Sequence, residues 1–387
     1  MGTNKGKCQH RTRGHSATIP TLFVPICIFK KMIDKINMKI IGLITSLILL
    51  IFFENCQNKL PDSKAEYVIG KGEMPNMVTD RFHTMHLVYG SGDSIMYSYS
   101  SDIGKTFSSP TLISVLPKLV ASHTRGPQIA VTSEGLLVSA CNALGDIFSF
   151  AKDRSGKWSR TARVNDVDTV AKEGFTALTA DGQNAFAIWL DLRADRHNKI
   201  FGSRSSDGGK TWSKNYLIYA SPDSTVCECC KPSVAMKGQD VYVMFRNWLN
   251  GDRDMYFVHS QDGGNSFGDA KKIGKESWKI NGCPMDGGGI AIDKSDNLQT
   301  VWNRKGVIYA CEGGKEEKPL GRGRSCSMET ENGKNIYTWV DNGNVVVVGP
   351  DAVKHTVGEG QLPLVKAVGR SIICIWENNG EIHRVIL

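Results

Sequence analysis

The chain has 387 residues, 41% of them apolar, with 40 glycines, which reads as a globular, turn-rich protein of one large domain or two ordinary ones. Its formal charge of +8 does not point to nucleic acid: residues 1–56 set eight Lys/Arg against Asp34 and Glu54 and so carry +6, leaving +2 for the rest. A body near +2 has too little positive charge to track a phosphate backbone.

In chain order, residues 1–37 read as an upstream segment outside the mature protein. Residues 38–56, "MKIIGLITSLILLIFFENC", place Lys39 ahead of a short apolar run, Ile40–Phe53. A run this short reads as a signal peptide rather than a spanning helix. It ends on Cys56 and is followed by a polar stretch. The segment resembles a bacterial lipoprotein signal, which implies lipidation at Cys56 and a membrane-anchored place in the cell envelope.

The remainder, 57–387, reads as one domain built on a repeat. "SSDIGKTF" (Ser100–Phe107), "SSDGGKTW" (Ser205–Trp212) and "SQDGGNSF" (Ser260–Phe267) are near copies, and "AKDRSGKW" (Ala151–Trp158) is a degenerate one. Their last aromatics, Phe107, Trp158, Trp212 and Phe267, are spaced by 51, 54 and 55 residues. A period near fifty with strand-like content signals a propeller. The unit Pro232–Ile273 shows the grammar of one blade, with four strands separated by tight turns. The repeated motif then falls between the third and fourth strands. Asp102, Asp207 and Asp262 are expected to accept hydrogen bonds from N–H groups a few residues on, with glycines at positions of positive φ. The motif is expected to be a structural fastener, not a ligand site.

First strands are expected near Pro75, Pro127, Phe175, Pro232, Met285, Cys326 and Leu362, which makes seven blades. The last unit has three strands of its own, and "EYVIG" (Glu66–Gly70) is expected to supply the fourth and close the ring.

The pattern S-x-D-x-G-x-[TS]-[WF] resembles the Asp-box, or BNR repeat, of the sialidase superfamily of β-propellers. That resemblance covers about residues 66–387. It implies an all-β propeller, six blades being the family count and seven the count favoured here. It implies three arginines that grip a sugar carboxylate through forked hydrogen bonds. Arg125 in "TRGPQIAVTS", Arg246 in "VYVMFRN" and Arg304 in "WNRKGVIYA" match those contexts, and Asp146 stands where an acid/base aspartate would be sought. The chain departs from the family at Lys231, which occupies the place of the glutamate that activates a tyrosine nucleophile. No tyrosine matches the nucleophile's context, although Tyr337 lies in the right blade. Catalysis is therefore left open between a sialidase-type glycoside hydrolase and a non-catalytic binding propeller.

Six of the eight body cysteines, Cys141, Cys227, Cys229, Cys230, Cys283 and Cys326, are expected on the face that carries the loops into first strands. Two readings stand there. Two or three disulfides could staple neighbouring loops, or thiolates could bind a soft metal, Cu or Zn. Cys311 and Cys374 are expected in strands. The reading as a whole is an exported monomeric propeller that takes a glycan or other small anionic ligand in its central funnel. It requires no cofactor, and its membrane contact is the lipid anchor.

Overall fold

The computed structural model describes residues 66–387 apart from 224, 313 and 314. The upstream segment, the signal peptide and Cys56 lie outside the described residues. Within them every regular element is a strand, and the 28 strands form seven four-stranded antiparallel sheets arranged as a seven-bladed propeller. The innermost strands are Glu73–Thr79, Gln128–Thr132, Thr176–Asp181, Ser233–Lys237, Gly289–Ile292, Arg324–Glu331 and Gln361–Val368, for blades 1 to 7. Six of the seven expected starts fall within two residues of these, and the Met285 start is four residues early. In blade 7 the outer strand is the N-terminal one, Tyr67–Lys71, paired antiparallel with Glu381–Ile386. The ring closes as expected.

The burial of each strand follows its place in a blade. Second strands are packed on both faces and nearly every residue is buried, whether the sequence is mostly apolar, as in Asn184–Asp191, or mixed, as in Leu298–Arg304. Outer strands such as Thr111–Val115 and Lys318–Arg322 are largely solvated. The cores lie between blades, not within them. Seven apolar clusters occur, one at each of the seven blade interfaces. The cluster joining blades 7 and 1 contains Met85, Leu87, Ile373 and Ile375 and is as dry as the others. Burial on this scale, at about 25 cal/mol per Å² of apolar surface, is what holds a ring with no central core.

The three intact aspartate turns share one hydrogen-bond scheme. In Ser205–Trp212 the Ser205 hydroxyl donates to Asp207 Oδ1 at 2.7 Å and accepts from the Gly209 N–H at 2.8 Å. Asp207 accepts from the Lys210 and Thr211 N–H groups and from the Thr211 hydroxyl. Asp102 and Asp262 repeat the pattern. These bonds hold the Asp207 carboxyl below the usual carboxylate range against the opposing effect of burial. Gly209, at φ +85°, presses on the preceding blade, where an added Cβ would lie 2.3 Å from Leu137 Cδ1. Trp212 donates its indole N–H to Ser149 of that same blade at 3.0 Å. The turns therefore fasten one blade to the previous one. Replacing Asp207 with alanine is expected to lower stability by about 1–3 kcal/mol, the cost of stranded donors. Chemical denaturation would read this, and ligand binding should be retained by the folded fraction.

The degenerate copy differs. Asp153 caps a short turn through Ser155 and Lys157, and Trp158 belongs to the outer strand Trp158–Arg163. Ala151 replaces the serine that bridges the aspartate to the loop, so the longer turn has no closing bond.

Candidate functional site

One end of the ring carries the connections into the innermost strands. Four of them are long: 116–127, 164–175, 220–232 and 273–288. The other three are the single residues Gly323, Gly360 and Gly72. The long segments wall half of the rim. At their foot an axial cavity of about 470 Å³ runs between the innermost strands, and Met74, Gln128, Lys231, Asp286, Ser325 and Leu362 are among the residues that line it.

Lys231 is the principal charge of this cavity. It ends the "CECCK" segment, with Pro232 holding the chain extended into the first strand of blade 4. The next blade packs closely on it: an added Cβ at Gly287 would sit 1.9 Å from the Lys231 carbonyl oxygen. The Lys231 Nζ donates to Gln128 Oε1 at 2.8 Å, across the axis from blade 2. Gln128 is itself oriented, because its Nε2 donates to the carbonyls of Gly126 and Pro127. Among the described residues no carboxylate lies within ion-pair distance of Lys231. Burial lowers its pKa to about 8. Asp286, on the same wall, is buried, and its Oδ2 accepts from the Ser325 N–H at 2.8 Å. Burial raises its pKa, with the Arg246 charge opposing.

The three arginines of the family pattern do not share a pocket edge. Arg246 is 1% exposed. Its guanidinium donates to the carbonyls of Asp286 (3.2 and 3.0 Å), Arg253 (2.8 Å) and Asn303 (2.9 Å). Arg304 is 5% exposed and forks onto Glu317 at 2.8 and 2.6 Å, with Glu276 nearby; Glu317, and Tyr309 after it, raise its pKa further. Both side chains are engaged within the protein. Arg125 is different. Its Nε donates to the Glu173 carbonyl, its guanidinium carbon lies 4.2 Å from the Phe175 ring centroid, and it remains partly exposed beside Thr124 at the cavity. Asp146 lies between the second and third strands of blade 2 and accepts from the Thr169 N–H at 3.0 Å and from Asn165. Tyr337 is buried in blade 6, which pushes its pKa up to about 12.

Four of the six cysteines expected on this face come together. Cys227, Cys229 and Cys230 place their sulfurs 3.4–4.0 Å apart. Cys229 is disulfide-bonded to Cys283, on the segment that leads into blade 5. This one bridge stands where two or three were expected. Cys141 and Cys326 are free thiols in other blades: Cys141 packs against Ala171, and Cys326 in the apolar cluster between blades 5 and 6. Cys311 and Cys374 lie in strands. Arg253, which the sequence reading passed over, donates from Nη1 to the Cys227 sulfur at 3.0 Å and pairs with Glu228 at 3.4 Å. The hydrogen bond between Cys227 and Cys230 and the nearby Arg253 charge lower the Cys227 pKa to about 7, against burial, while burial pushes Cys230 up. Lys231 was read only as a missing glutamate. Its position just before the proline that opens an innermost strand was the available sign that it faces the axis.

No protein-family model matches this sequence, and no curated protein is similar to it at a significant level. Solved structures are similar in fold. A virginiamycin B lyase from Staphylococcus aureus superposes with a TM-score of 0.51 at 13% identity, over 84% of this chain and 98% of that one. An ulvan lyase, described as a new family of polysaccharide lyase, superposes with a TM-score of 0.52 at 10% identity, over 82% of this chain and 94% of that one. At such identities the likeness establishes the shared propeller fold and nothing finer.

Proposed function

We propose that this propeller binds an anionic saccharide in its axial cavity, with Lys231 as the charge that receives the ligand's carboxylate or sulfate. The observation that carries this reading is a lysine ammonium buried in a cavity of about 470 Å³ with an amide oxygen as its partner and, among the described residues, no carboxylate within ion-pair distance. Burying an unpaired cation is costly, and a bound anion would offset that cost. Gln128 orients the ammonium, and Arg125 at the rim supplies a second, partly exposed cation. The cavity volume suits one or two sugar rings. The ulvan lyase of similar fold was solved bound to -[GlcA(1-4)Rha3S]-, and that ligand supports the choice of saccharides to test. Binding without hydrolysis is the form proposed. A sialidase-type reaction needs a carboxylate where Lys231 stands, and the tyrosine of the corresponding blade is buried.

Isothermal calorimetry with acidic oligosaccharides and their carboxyl-reduced, desulfated counterparts tests the reading. Binding of the charged but not the neutral compounds supports it. Equal binding of both, or of neither, overturns it.

We also propose that the protein is held at the cell envelope by a lipid on Cys56. Cys56→Ser is expected to move it to the soluble fraction and to abolish labelling by a fatty-acid probe. Unchanged fractionation and labelling would refute the anchor.

A further inference from the structure

The loop 227–230 and its partner Cys283 adjoin the saccharide site through Lys231 and Asp286 but line none of its cavity, and they bring together a dense set of reactive side chains. Three sulfurs from one turn, Cys227, Cys229 and Cys230, are separated by 3.4, 3.6 and 4.0 Å. A tetrahedral ion with metal–sulfur bonds of about 2.3 Å spaces its ligands about 3.8 Å apart. The three sulfurs, two of them thiols and the third in the disulfide, already stand at that spacing. A fourth sulfur, Cys283, is held beside Cys229 by the disulfide, with 6.2 Å between the two Cα atoms.

The surroundings of the sulfurs are cationic and rich in N–H donors. Arg246 and Arg253 are 1% and 5% exposed. Arg253 donates to the Cys227 sulfur. Arg246 reaches the backbone of Asp286 on the Cys283 segment and makes no ion pair within 4.0 Å among the described residues; it feels Cys230 and Asp286 at longer range. Backbone N–H groups also point at the sulfurs, that of Cys229 at Cys227 and that of Asp286 at Cys230. N–H donors and cations around sulfur are what a metal thiolate centre requires of its outer shell. Four thiolates on a divalent ion carry a net charge of −2, which Arg246 and Arg253 offset in part, Arg253 being shared with Glu228.

We infer that Cys227, Cys229, Cys230 and Cys283 form a four-thiolate site for a thiophilic d10 cation of the Zn2+ class, available when the Cys229–Cys283 disulfide is reduced. The reductant is a dithiol. Its two thiols transfer two electrons and two protons to the disulfide and close into a disulfide of their own, leaving Cys229 and Cys283 as thiols. The cation then displaces the protons of the four thiols. In the oxidised protein only Cys227 and Cys230 remain as ligands, so the disulfide and the metal are alternative ways of tying the loop into blade 4 to the loop into blade 5. Anion binding at Lys231 is not needed for either state.

The test uses the full chain, as isolated and after anaerobic treatment with a dithiol that is then removed. Zn2+ is titrated against a chromophoric chelator, and Co2+ is used as the spectroscopic probe. The reduced, folded protein is expected to take up one equivalent per chain and to show a tetrahedral cobalt spectrum with intense sulfur-to-cobalt charge transfer. The oxidised protein is expected to bind at least a hundredfold more weakly. Cys227→Ser and Cys230→Ser should each weaken binding at least tenfold, while Cys374→Ala, in a strand of blade 7, should leave it unchanged. If the serine variants do not fold, the charge-transfer intensity of the unmutated protein decides. Three or four cobalt–thiolate bonds support the site, and two or fewer overturn it. Uptake of no metal by the reduced protein, or equal uptake by both forms, also overturns it.

Discussion

Arg246→Ala is expected to destabilise the folded protein by about 3–5 kcal/mol. The guanidinium sits at the junction of three chain segments and satisfies the carbonyls of Arg253, Asp286 and Asn303. Each buried acceptor left unpaired costs roughly 1–3 kcal/mol, and water entering the vacated space recovers part of this. Arg246→Lys is expected to recover less than half of the loss, because an ammonium cannot reproduce the planar fork that reaches two blades at once. The denaturant midpoint of each variant measures this. A variant that unfolds like the unmodified protein but no longer binds acidic saccharide would give a different answer. Arg246 would then be a ligand-gripping arginine of the sialidase kind, and the framework role would be wrong.

Lys231→Met is expected to weaken binding of an acidic saccharide by at least tenfold, the value of a charge-assisted contact of about 1.5–3 kcal/mol. The pH dependence identifies the group. The ammonium is the form that binds, so affinity is expected to be level below pH 7 and to fall as pH rises through about 8. Lys231→Arg, which stays charged, should bind with a flat profile over that range. The effect on stability has the opposite sign. The folded pKa lies below the ordinary lysine value, so between about 8 and that value the unfolded chain binds the proton more tightly. Stability from this group therefore rises with pH through that window, and its burial is a cost at neutral pH. Lys231→Met is accordingly expected to melt at a higher temperature at pH 7 while binding less. An affinity unchanged from pH 7 to 9.5 in the unmodified protein would remove Lys231 from the site.

What could be read from the sequence was local. An aspartate turn is complete within eight residues, so its acceptor, its glycines and its packing aromatic are all visible in a line of text. Blade starts were legible from the fifty-residue period and from a proline or glycine close to each of them, and the closing strand because blade 7 was one strand short. The fates of the arginines were not legible. Arg246 finds its acceptors 40 and 57 residues away, on segments brought together only by the packing of neighbouring blades. Arg304 was expected at the funnel, and Glu317, thirteen residues on, takes both of its terminal nitrogens. Cysteine pairing had the same difficulty. The C-x-C-C spacing gathers three sulfurs, and the residue that bonds one of them lies 54 positions on.

The closing pair of strands also sets an order of events. Tyr67 and Arg384 are register partners at opposite ends of the described chain. During synthesis the first strand is made long before its partner, and it has no sheet to join until the last residues arrive. Closing a loop of this length costs chain entropy that no local contact offsets. Six blades can assemble in sequence beforehand, each on its predecessor, while blade 7 and the interface beside it wait. The axial cavity takes its walls from blades across the ring, including Gln128, Lys231 and Ser325. Leu362, Leu364 and Lys366 of blade 7 complete those walls only in the late step, whereas the Lys231–Gln128 pair needs only blades 2 and 4.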